Sequence, residues 1–333
     1  MNLRICKMPG RAYYFSLYLQ NMKVAILGYG NVGIAAFHTF IHMPEIHELV
    51  LCGRNRIKIE GELTDFRDSL ALNSDIKTRI RGGGYEMTAG ADIIVYTVGP
   101  TIKDHNTDRR TLAQANIDIA REVSEELNKY NRDAIIIVIS NPVDIVVSAL
   151  MKYTGRQRGK VIGTGTLLDS ARLRRYLADM LDIQPKDVSA YVLGEHGNSS
   201  CIVWRWTSVM GMPVEKFLSS EIGAKVNLSH DKLLEVIRRA GLKIVEKKGH
   251  TSFGVAAAAA QIASAIIHDT HQILVVSVPL SGEYGIDGVA LSVPCYVNSC
   301  GATVIASTNM TDDELDALNA SAEAIRNSSC GFL

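Results

Sequence analysis

The stretch KVAILGYGNVGI, residues 23–34, decides the fold of this chain. Its apolar run at 24–27 predicts a buried parallel strand, and apolar residues continue on helical spacing after it. Between strand and helix, Gly28, Gly30 and Gly33 form Gly-x-Gly-x-x-Gly, with Asn31 and Val32 inside the motif. There the first glycine permits a tight turn, the second admits a pyrophosphate, and the third allows close helix packing. The stretch therefore predicts a dinucleotide site at a helix N-terminus, against the alternative of an ordinary strand-to-helix turn.

Composition favours a folded protein with small, locally bound partners. The chain has 333 residues, 47% of them hydrophobic, which is enough for a large core and two domains. Lysine plus arginine and aspartate plus glutamate number 35 each, so no net charge favours nucleic acid or a membrane surface. The six cysteines are scattered without a Cys-x-x-Cys pair, which favours a reducing cytoplasm.

Two further segments look superficially like membrane or export signals. The apolar stretch 255–267 is mostly alanine and is interrupted by Gln261 and Ser264, so it predicts a closely packed helix that suits subunit packing. Residues 1–21 are basic and then apolar, but no small-residue cleavage site follows them. Because Met22 stands directly before the first strand, we interpret 1–21 as a dispensable N-terminal extension. An oligomerisation arm or a start site placed too early are the alternatives.

Strand-like and helical patterns alternate after the glycine turn. Apolar runs at 48–52, 91–98 and 134–139 predict further strands, so the fold class is α/β with a doubly wound parallel sheet. Gly99 opens a polar segment, 99–110, at the carboxyl end of one strand, where ligands bind in such sheets and where a mobile lid is plausible. Asn141 stands at the end of the next, where its amide can donate to a ligand.

The carboxylate that normally holds the adenosine ribose is missing from its expected position in this sequence. An acidic residue is expected about 20 residues beyond the glycine turn, to hold the adenosine ribose. Gly53 and Arg54 stand there instead. Glycine leaves room for a 2'-phosphate and arginine supplies a forked cation, which favours NADPH. The alternative is that Arg54 borders a solvated loop and a backbone amide holds the ribose.

Three polar residues in the second half are candidates for chemistry. Asp169 and Arg172 are three apart in a helical pattern and therefore share one face, although a surface ion pair would explain them. His196 is bracketed by glycines in Gly194-Glu195-His196-Gly197. A lone histidine is usually structural, so the three become informative only together.

Several motifs together resemble the L-lactate dehydrogenase family, including the related L-2-hydroxyisocaproate dehydrogenases. They are the glycine turn, SNPVD at 140–144, LDSAR at 168–172, GEHG at 194–197, GEYGI at 282–286 and LSVPC at 291–295. The match extends from about Met22 nearly to the C-terminus. The resemblance implies a Rossmann domain at 22–163, an α+β substrate domain at 164–333, and a cytoplasmic homodimer or homotetramer that acts on a small 2-oxo or 2-hydroxy acid.

The resemblance also implies a role for each site residue. His196 would protonate the substrate carbonyl and act as base in reverse, because its pKa lies near neutrality. Asp169 would orient His196 and favour its charged form. Arg172 would bind the substrate carboxylate through two hydrogen bonds, and Arg109 would polarise the carbonyl from the lid. Asn141 would contact the carbonyl or the nicotinamide.

The residues that select the substrate depart from the family pattern. Thr251 would line the pocket, and either Ile102 or Lys103 in the lid would contact the variable part of the substrate. Ile102 would favour a larger apolar 2-oxo acid, whereas Lys103 would attract a second carboxylate and make oxaloacetate a candidate. The alternatives to a lactate-type enzyme are therefore malate dehydrogenase activity and a non-catalytic dinucleotide-binding protein. No metal is expected, since nothing completes a site around His38 and His42.

Overall fold

The computed structural model describes residues 22–72, 75–100, 109–219, 229–306, 309–329 and 331–333. Three sequence-based predictions lie wholly or mostly outside these residues. They are the N-terminal extension at 1–21, the lid at 99–110, of which 101–108 are not described, and the pair of specificity candidates, Ile102 and Lys103.

The first half of the chain alternates strands with helices, as the hydrophobic pattern predicts. Its elements are β1 (Met22–Leu27), α1 (Asn31–Ile41), β2 (Ile46–Cys52), α2 (Arg56–Ala71), β3 (Arg79–Gly83), β4 (Ile93–Tyr96), α3 (Arg109–Tyr130), β5 (Ile135–Val138), α4 (Val143–Thr154) and β6 (Val161–Gly163). The six strands are parallel and lie in the order β3-β2-β1-β4-β5-β6, so the predicted doubly wound sheet is confirmed.

The second half is a mixed α+β region whose long strands extend the same sheet. Its elements are α5 (Leu167–Leu181), β7 (Val188–Ser189), β8 (Val192–Leu193), β9 (Cys201–Ile202), β10 (Ser208–Val209), β11 (Met212–Pro213), α6 (Val214–Leu218), α7 (His230–Lys248), α8 (Phe253–Ile267), β12 (Gln272–Ser281), β13 (Asp287–Asn298), β14 (Gly301–Val304) and α9 (Asp312–Ser328). Strand β12 runs antiparallel to β6, pairing Ser277 with Gly163, and β13 and β14 follow toward the edge.

The alanine-rich helix predicted from the sequence is α8, and it packs against α1 of the same chain. Ala256, Ala259, Ile262 and Ala263 are fully buried in the main core with the strands of the central sheet. Small side chains on α8 let the two helices approach closely. One face of α8 thus serves the chain's own core, and its part in subunit packing stays a prediction.

Within the described residues, none of the helices has the length and apolar character needed to cross a membrane. Cys52, Cys201 and Cys295 are buried free thiols, and burial raises the pKa of Cys201 to about 11. Cys300 takes part in a disulfide bond, which the spacing of the cysteines did not indicate.

Candidate active site

The glycine turn has the geometry that its sequence predicts. Gly28 has a φ of +104°, which a residue with a side chain rarely adopts. A Cβ on Gly33 would lie 2.1 Å from the carbonyl oxygen of Gly28, so α1 can pack this close to the turn only with glycine there. A Cβ on Gly30, in contrast, would meet nothing within 4 Å. That open space lies at the N-terminus of α1, whose first amides, from Asn31 and Val32, have no side-chain cap.

Buried polar groups without partners surround the same region. Oδ1 of Asn116 on α3 and Oγ of Ser140 after β5 are buried and have no hydrogen bond from the described residues. Oδ1 of Asn116 would be 3.4 Å from a Cβ on the exposed Gly99, which follows β4. Buried polar groups normally have a partner, so these two indicate a polar ligand along the carboxyl ends of β4 and β5. Together with the open N-terminus of α1, they fit a dinucleotide.

The end of β2 differs from its sequence-based interpretation in one respect. Gly53 stands where the ribose-binding carboxylate is expected, so that carboxylate is absent. The space beside the glycine is nevertheless not open. A Cβ there would lie 2.3 Å from Cε1 and 2.5 Å from Cδ1 of Tyr29, whose ring packs against the glycine. The prediction that Gly53 makes room for a phosphate was therefore wrong, because the second residue of the glycine motif fills that room.

Positively charged side chains nevertheless follow Gly53 closely in the chain. Arg54 is exposed and has no ion pair within the part of the chain that the structure describes, whereas Arg56 Nη2 pairs with Glu86 Oε1 at 2.9 Å. Lys58 Nζ lies 5.4 Å from the centroid of the Tyr29 ring. Arg54 thus remains available to an anion just beyond the carboxyl end of β2.

In the second half of the chain, the fold brings the three separate candidates together. His196 Nδ1 donates to Asp169 Oδ2 at 2.6 Å, and Arg172 Nη1 donates to Asp169 Oδ1 at 2.9 Å. Asp169 and Arg172 lie in the first two turns of α5, and His196 follows β8 on a loop. We call these three residues the His196 cluster. Since Nδ1 is engaged, Nε2 is the ring atom left to exchange a proton.

Charge and burial oppose each other at the His196 cluster. Burial alone would lower the pKa of His196, but the charge and hydrogen bond of Asp169, with the charge of Asp144, raise that pKa above its ordinary value. Burial would likewise raise the pKa of Asp169, but His196 and Arg172 hold it below its ordinary value. Each partner therefore favours the charged form of the other, imidazolium for His196 and carboxylate for Asp169.

A cavity of about 230 Å³ adjoins the cluster. Leu112 and Ile325 supply apolar surface from α3 and α9, and the polar lining comes from Asn141, Asp144, Glu195, His196 and Ser328. A larger cavity of about 520 Å³ lies elsewhere, lined mainly by aromatic and aliphatic side chains that include Tyr191 and Trp206. We assign the chemistry to the smaller cavity, because it alone of these two contains the perturbed titratable groups.

Asp144 is a residue of this site to which the sequence gave no role. It lies in the first turn of α4 and is only 3% exposed. Its Oδ1 accepts from Ser277 Oγ at 2.6 Å, and its Oδ2 accepts from the backbone N–H of His196 at 3.0 Å. The sequence could not single it out, because an acid in the first turn of a helix is common and its partners are 52 and 133 residues away.

The remaining predicted residues are placed only in part. Arg109 is the first residue of α3, and its side chain lies outside the described residues. Thr251 is half-buried in the connection between α7 and α8. The start of α8 passes close to α5, because a Cβ on Gly254 would be 3.1 Å from Leu168 Cδ1. Thr251 therefore directly precedes a helix whose first turn adjoins the helix that carries Asp169.

His38 and His42, the histidine pair considered as metal ligands, show no sign of a metal site among the residues around them that the structure describes. The ring centroids of His38 on α1 and His42, the residue that follows α1, are 5.0 Å apart. Across the described ranges, no group of three histidine, cysteine or acidic side chains is placed to hold a metal ion.

Comparison with known proteins places this arrangement among dehydrogenases. Residues 22–163 match the family model "lactate/malate dehydrogenase, NAD binding domain", and residues 166–330 match "lactate/malate dehydrogenase, alpha/beta C-terminal domain". L-lactate dehydrogenase 2 of Clostridium acetobutylicum is 35% identical over 305 residues, covering 91% of this chain and 95% of that protein.

Solved structures agree with these matches. The minor L-lactate dehydrogenase of Enterococcus mundtii superposes with a TM-score of 0.87 at 29% identity, covering 94% of this chain and 99% of that one. The malate dehydrogenase of Aeropyrum pernix gives a TM-score of 0.84 at 32% identity, covering 92% and 97%. The same fold therefore accommodates both substrate classes.

Proposed function

The chain belongs to the lactate/malate dehydrogenase family, and we propose that it interconverts a 2-oxo acid and the corresponding L-2-hydroxy acid at the His196 cluster. It is an NAD(P)-dependent oxidoreductase that acts on a CH–OH group. The observation that carries the proposal is one carboxylate, Asp169, bonded to both His196 and Arg172. A proton donor and a forked cation are thereby held side by side, as reduction of a 2-oxo acid needs.

When bound, the nicotinamide dinucleotide supplies or accepts the hydride. In reduction, C2 of the 2-oxo acid gains that hydride while His196 Nε2 gives its proton to the carbonyl oxygen. In oxidation, neutral His196 takes the hydroxyl proton back. Asp169 keeps the ring in one orientation and stabilises the charged form, so the proton donor is ready before substrate reduction begins.

Arg172 is the residue we assign to the substrate carboxylate. Its guanidinium uses Nη1 for Asp169, and the adjoining surface of α7 is Gly241, where a Cβ would still be 3.8 Å away. The remaining donors can bind a carboxylate with parallel hydrogen bonds, each worth about 1.5 to 3 kcal/mol for a charged partner. Asn141, which lines the cavity beside His196, is assigned to the substrate carbonyl or the nicotinamide. Arg109 and Thr251 keep the roles that the family resemblance implies.

We further propose that the enzyme prefers NADPH to NADH. The absence of a carboxylate at Gly53 supports this preference, and so does the exposed cation of Arg54, which has no ion pair among the described residues. The Tyr29 ring fills the space beside Gly53, so the 2'-phosphate would bind on the far side of that ring and not against the glycine. A ribose diol finds no carboxylate to accept its hydroxyl hydrogens here, whereas a 2'-phosphate can form a charged hydrogen bond with Arg54.

Ligand binding separates this preference from turnover. In titration calorimetry, the wild type should bind 2',5'-ADP more tightly than ADP, and Arg54→Ala should weaken 2',5'-ADP far more than ADP. Gly53→Asp forces a contact of 2.3 Å with the Tyr29 ring, so we expect it to weaken both ligands. The double variant Tyr29→Ala with Gly53→Asp should regain ADP and reject 2',5'-ADP, with Tyr29→Ala as control. Equal weakening of both ligands by Arg54→Ala would refute the phosphate site.

The substrate side follows from turnover with three acids. Initial rates should be measured with pyruvate, 4-methyl-2-oxopentanoate and oxaloacetate, each with NADH and with NADPH. Preference for the branched acid supports Ile102 as the contact, and preference for oxaloacetate supports Lys103. His196→Gln should lower kcat by about 10² to 10⁴, the usual contribution of a positioned acid, with His38→Gln on α1 as the matched control. No turnover of any acid would favour the non-catalytic dinucleotide-binding alternative.

We also propose that the protein works in the cytoplasm as a homodimer or homotetramer. Apolar side chains on the outer surfaces of two helices support association, since Ile57 and Leu72 at the ends of α2 are 87% and 92% exposed and Leu242 on α7 is 52% exposed. Sedimentation at micromolar concentration tests the assembly, and a single species of about one chain mass would contradict it.

A further inference from the structure

We propose that Asp144 is a positioning residue for His196, holding the backbone of its loop against the start of α4 while presenting a second carboxylate to the imidazolium. The inference rests on the proposed function and deepens it. It is carried by geometry, because the buried carboxylate joins three segments that are distant in sequence. Asp169 fixes the ring from the side of α5, and Asp144 fixes the chain from which that ring extends.

Asp144 holds the His196 loop through three anchor points. Oδ2 of Asp144 accepts from the N–H of His196 at 3.0 Å, and Oδ1 accepts from Ser277 Oγ on β12 at 2.6 Å. The third anchor is α4 itself, whose N-terminal turn contains Asp144 and favours a negative charge. Because each anchor belongs to a packed element, the His196 loop has little freedom to move away from the cavity.

Asp144 also belongs to the electrostatics of the ring. The charged groups that face His196 are Asp169 and Arg172 on α5 and Asp144 on α4, and Glu195 precedes it in the loop. Both aspartates raise the pKa of His196, whereas Arg172 lowers it. A merely structural Asp144 would hold the loop without influencing proton transfer, and this difference makes the role testable.

Two substitutions separate position from charge. Asp144→Asn can keep both contacts, because its amide oxygen accepts from His196 and its NH₂ donates to Ser277 once that hydroxyl rotates. It removes only the charge. Asp144→Ala removes both contacts and leaves the loop unanchored. An exposed acid on α5, Asp179, gives the matched control Asp179→Asn.

Asp144→Ala should lower kcat by about 10²-fold, the usual result of misplacing a reacting group by about 1 Å. KM for the 2-oxo acid should change little, since Arg172 is left in place. If that variant does not fold, Ser277→Ala replaces it and should lower kcat in the same direction. Wild-type kcat in a folded Asp144→Ala or in Ser277→Ala would overturn the positioning role.

Histidine titration tests the charge without any turnover. The protein has nine histidines, so in 15N-histidine-labelled enzyme the signal of His196 is identified by its loss in His196→Gln. Asp144→Asn should lower the pKa of His196, and Asp179→Asn should leave it unchanged. An unchanged pKa in Asp144→Asn would overturn the second part of the inference. A wild type that turns over no 2-oxo acid would instead refute the proposed function, and the titration would still decide the role of Asp144.

Discussion

Replacing Asp169 by asparagine should remove most of the proton-donating power of His196 while leaving the fold recognisable. Asp169 Oδ2 lies 2.6 Å from His196 Nδ1, and its other oxygen accepts from Arg172 at 2.9 Å. Two unit charges about 4 Å apart at an effective dielectric constant of about 20 interact by about 4 kcal/mol. Loss of that attraction lowers the fraction of His196 that is protonated and ready to donate, so kcat for reduction should fall by about 10² to 10³.

Asparagine also changes the hydrogen bonding of the ring. Arg172 can only donate, so in Asp169→Asn the oxygen of the new amide should turn toward Arg172 and its NH₂ toward His196. An NH₂ facing Nδ1 favours the neutral tautomer that has no proton on Nδ1 and carries its proton on Nε2. The variant should therefore be impaired in both directions, because the imidazolium that starts reduction is disfavoured and a protonated Nε2 cannot accept the hydroxyl proton in oxidation.

The same substitution has a pH-dependent effect on stability. Asp169 has a lowered pKa, so it stabilises the fold above its unfolded value of about 3.9, and this contribution is lost as pH falls through the folded pKa. His196 has a raised pKa, so it stabilises the fold below about 6.5, and this contribution is lost as pH rises through the folded pKa. The stability gap between wild type and Asp169→Asn should thus be largest at about pH 4 to 6.5.

Steady-state rates in both directions from pH 5 to 9, with thermal unfolding on the same samples, measure these effects. Asp179→Asn is the matched control, because it changes an exposed acid on the same helix. Equal kcat values for wild type and Asp169→Asn in reduction at pH 7 would refute the reasoning, and so would a stability gap that widens with rising pH.

Three further substitutions test other parts of the structure. Arg172→Lys should lower kcat/KM for the 2-oxo acid by about 10- to 100-fold, mainly through KM, because an ammonium cannot bind a carboxylate with two parallel bonds; steady-state kinetics measure it. Gly33→Ala places a Cβ 2.1 Å from the carbonyl oxygen of Gly28, so it should lower the unfolding free energy by about 1 to 3 kcal/mol and weaken NADPH binding, measured by urea unfolding and calorimetry. Thr311→Ala removes the cap bond to the N–H of Glu314, so urea unfolding should show a free energy lower by about 0.5 to 2 kcal/mol, with kcat unchanged.

The fold was accessible from the sequence because its signals are local. The strand at 24–27, the glycine turn and α1 follow one another without a gap, and apolar runs identified β1, β2, β4 and β5 of the parallel sheet, whereas β3 and β6 were not predicted. Predicted and observed boundaries differ by one to two residues, as at β4, where the expected range 91–98 contracts to Ile93–Tyr96. Hydrophobic runs continue past the hydrogen-bonded strand, since burial and pairing end at different residues.

The site was only partly accessible, because its geometry is not local. Spacing alone placed Asp169 beside Arg172, but the contact with His196, 27 residues later, required either the fold or the family resemblance. Tyr29 and Gly53 illustrate the opposite failure. Each was interpreted by itself, whereas adjacent parallel strands place the large ring against the missing side chain. A complementary pair of this kind cannot be recognised from one sequence.

The buried carboxylate of Asp144 lowers the free energy of unfolding near neutral pH, although it positions His196. Burial raises the pKa of its carboxyl from an ordinary 3.8 to about 6, although Ser277, the His196 backbone and the His196 charge oppose this. A raised carboxyl pKa means that stability is lost as pH rises from about 4 to about 6, by about 3 kcal/mol in total. The amide of Asp144→Asn does not titrate, so the variant should be more stable than wild type at pH 7.5, with the difference nearly absent at pH 4. Urea unfolding at both pH values, with Asp179→Asn for comparison, measures this; a wild type that is the more stable protein at pH 7.5 would show that the ionised carboxylate stabilises the fold and is not retained for its effect on His196.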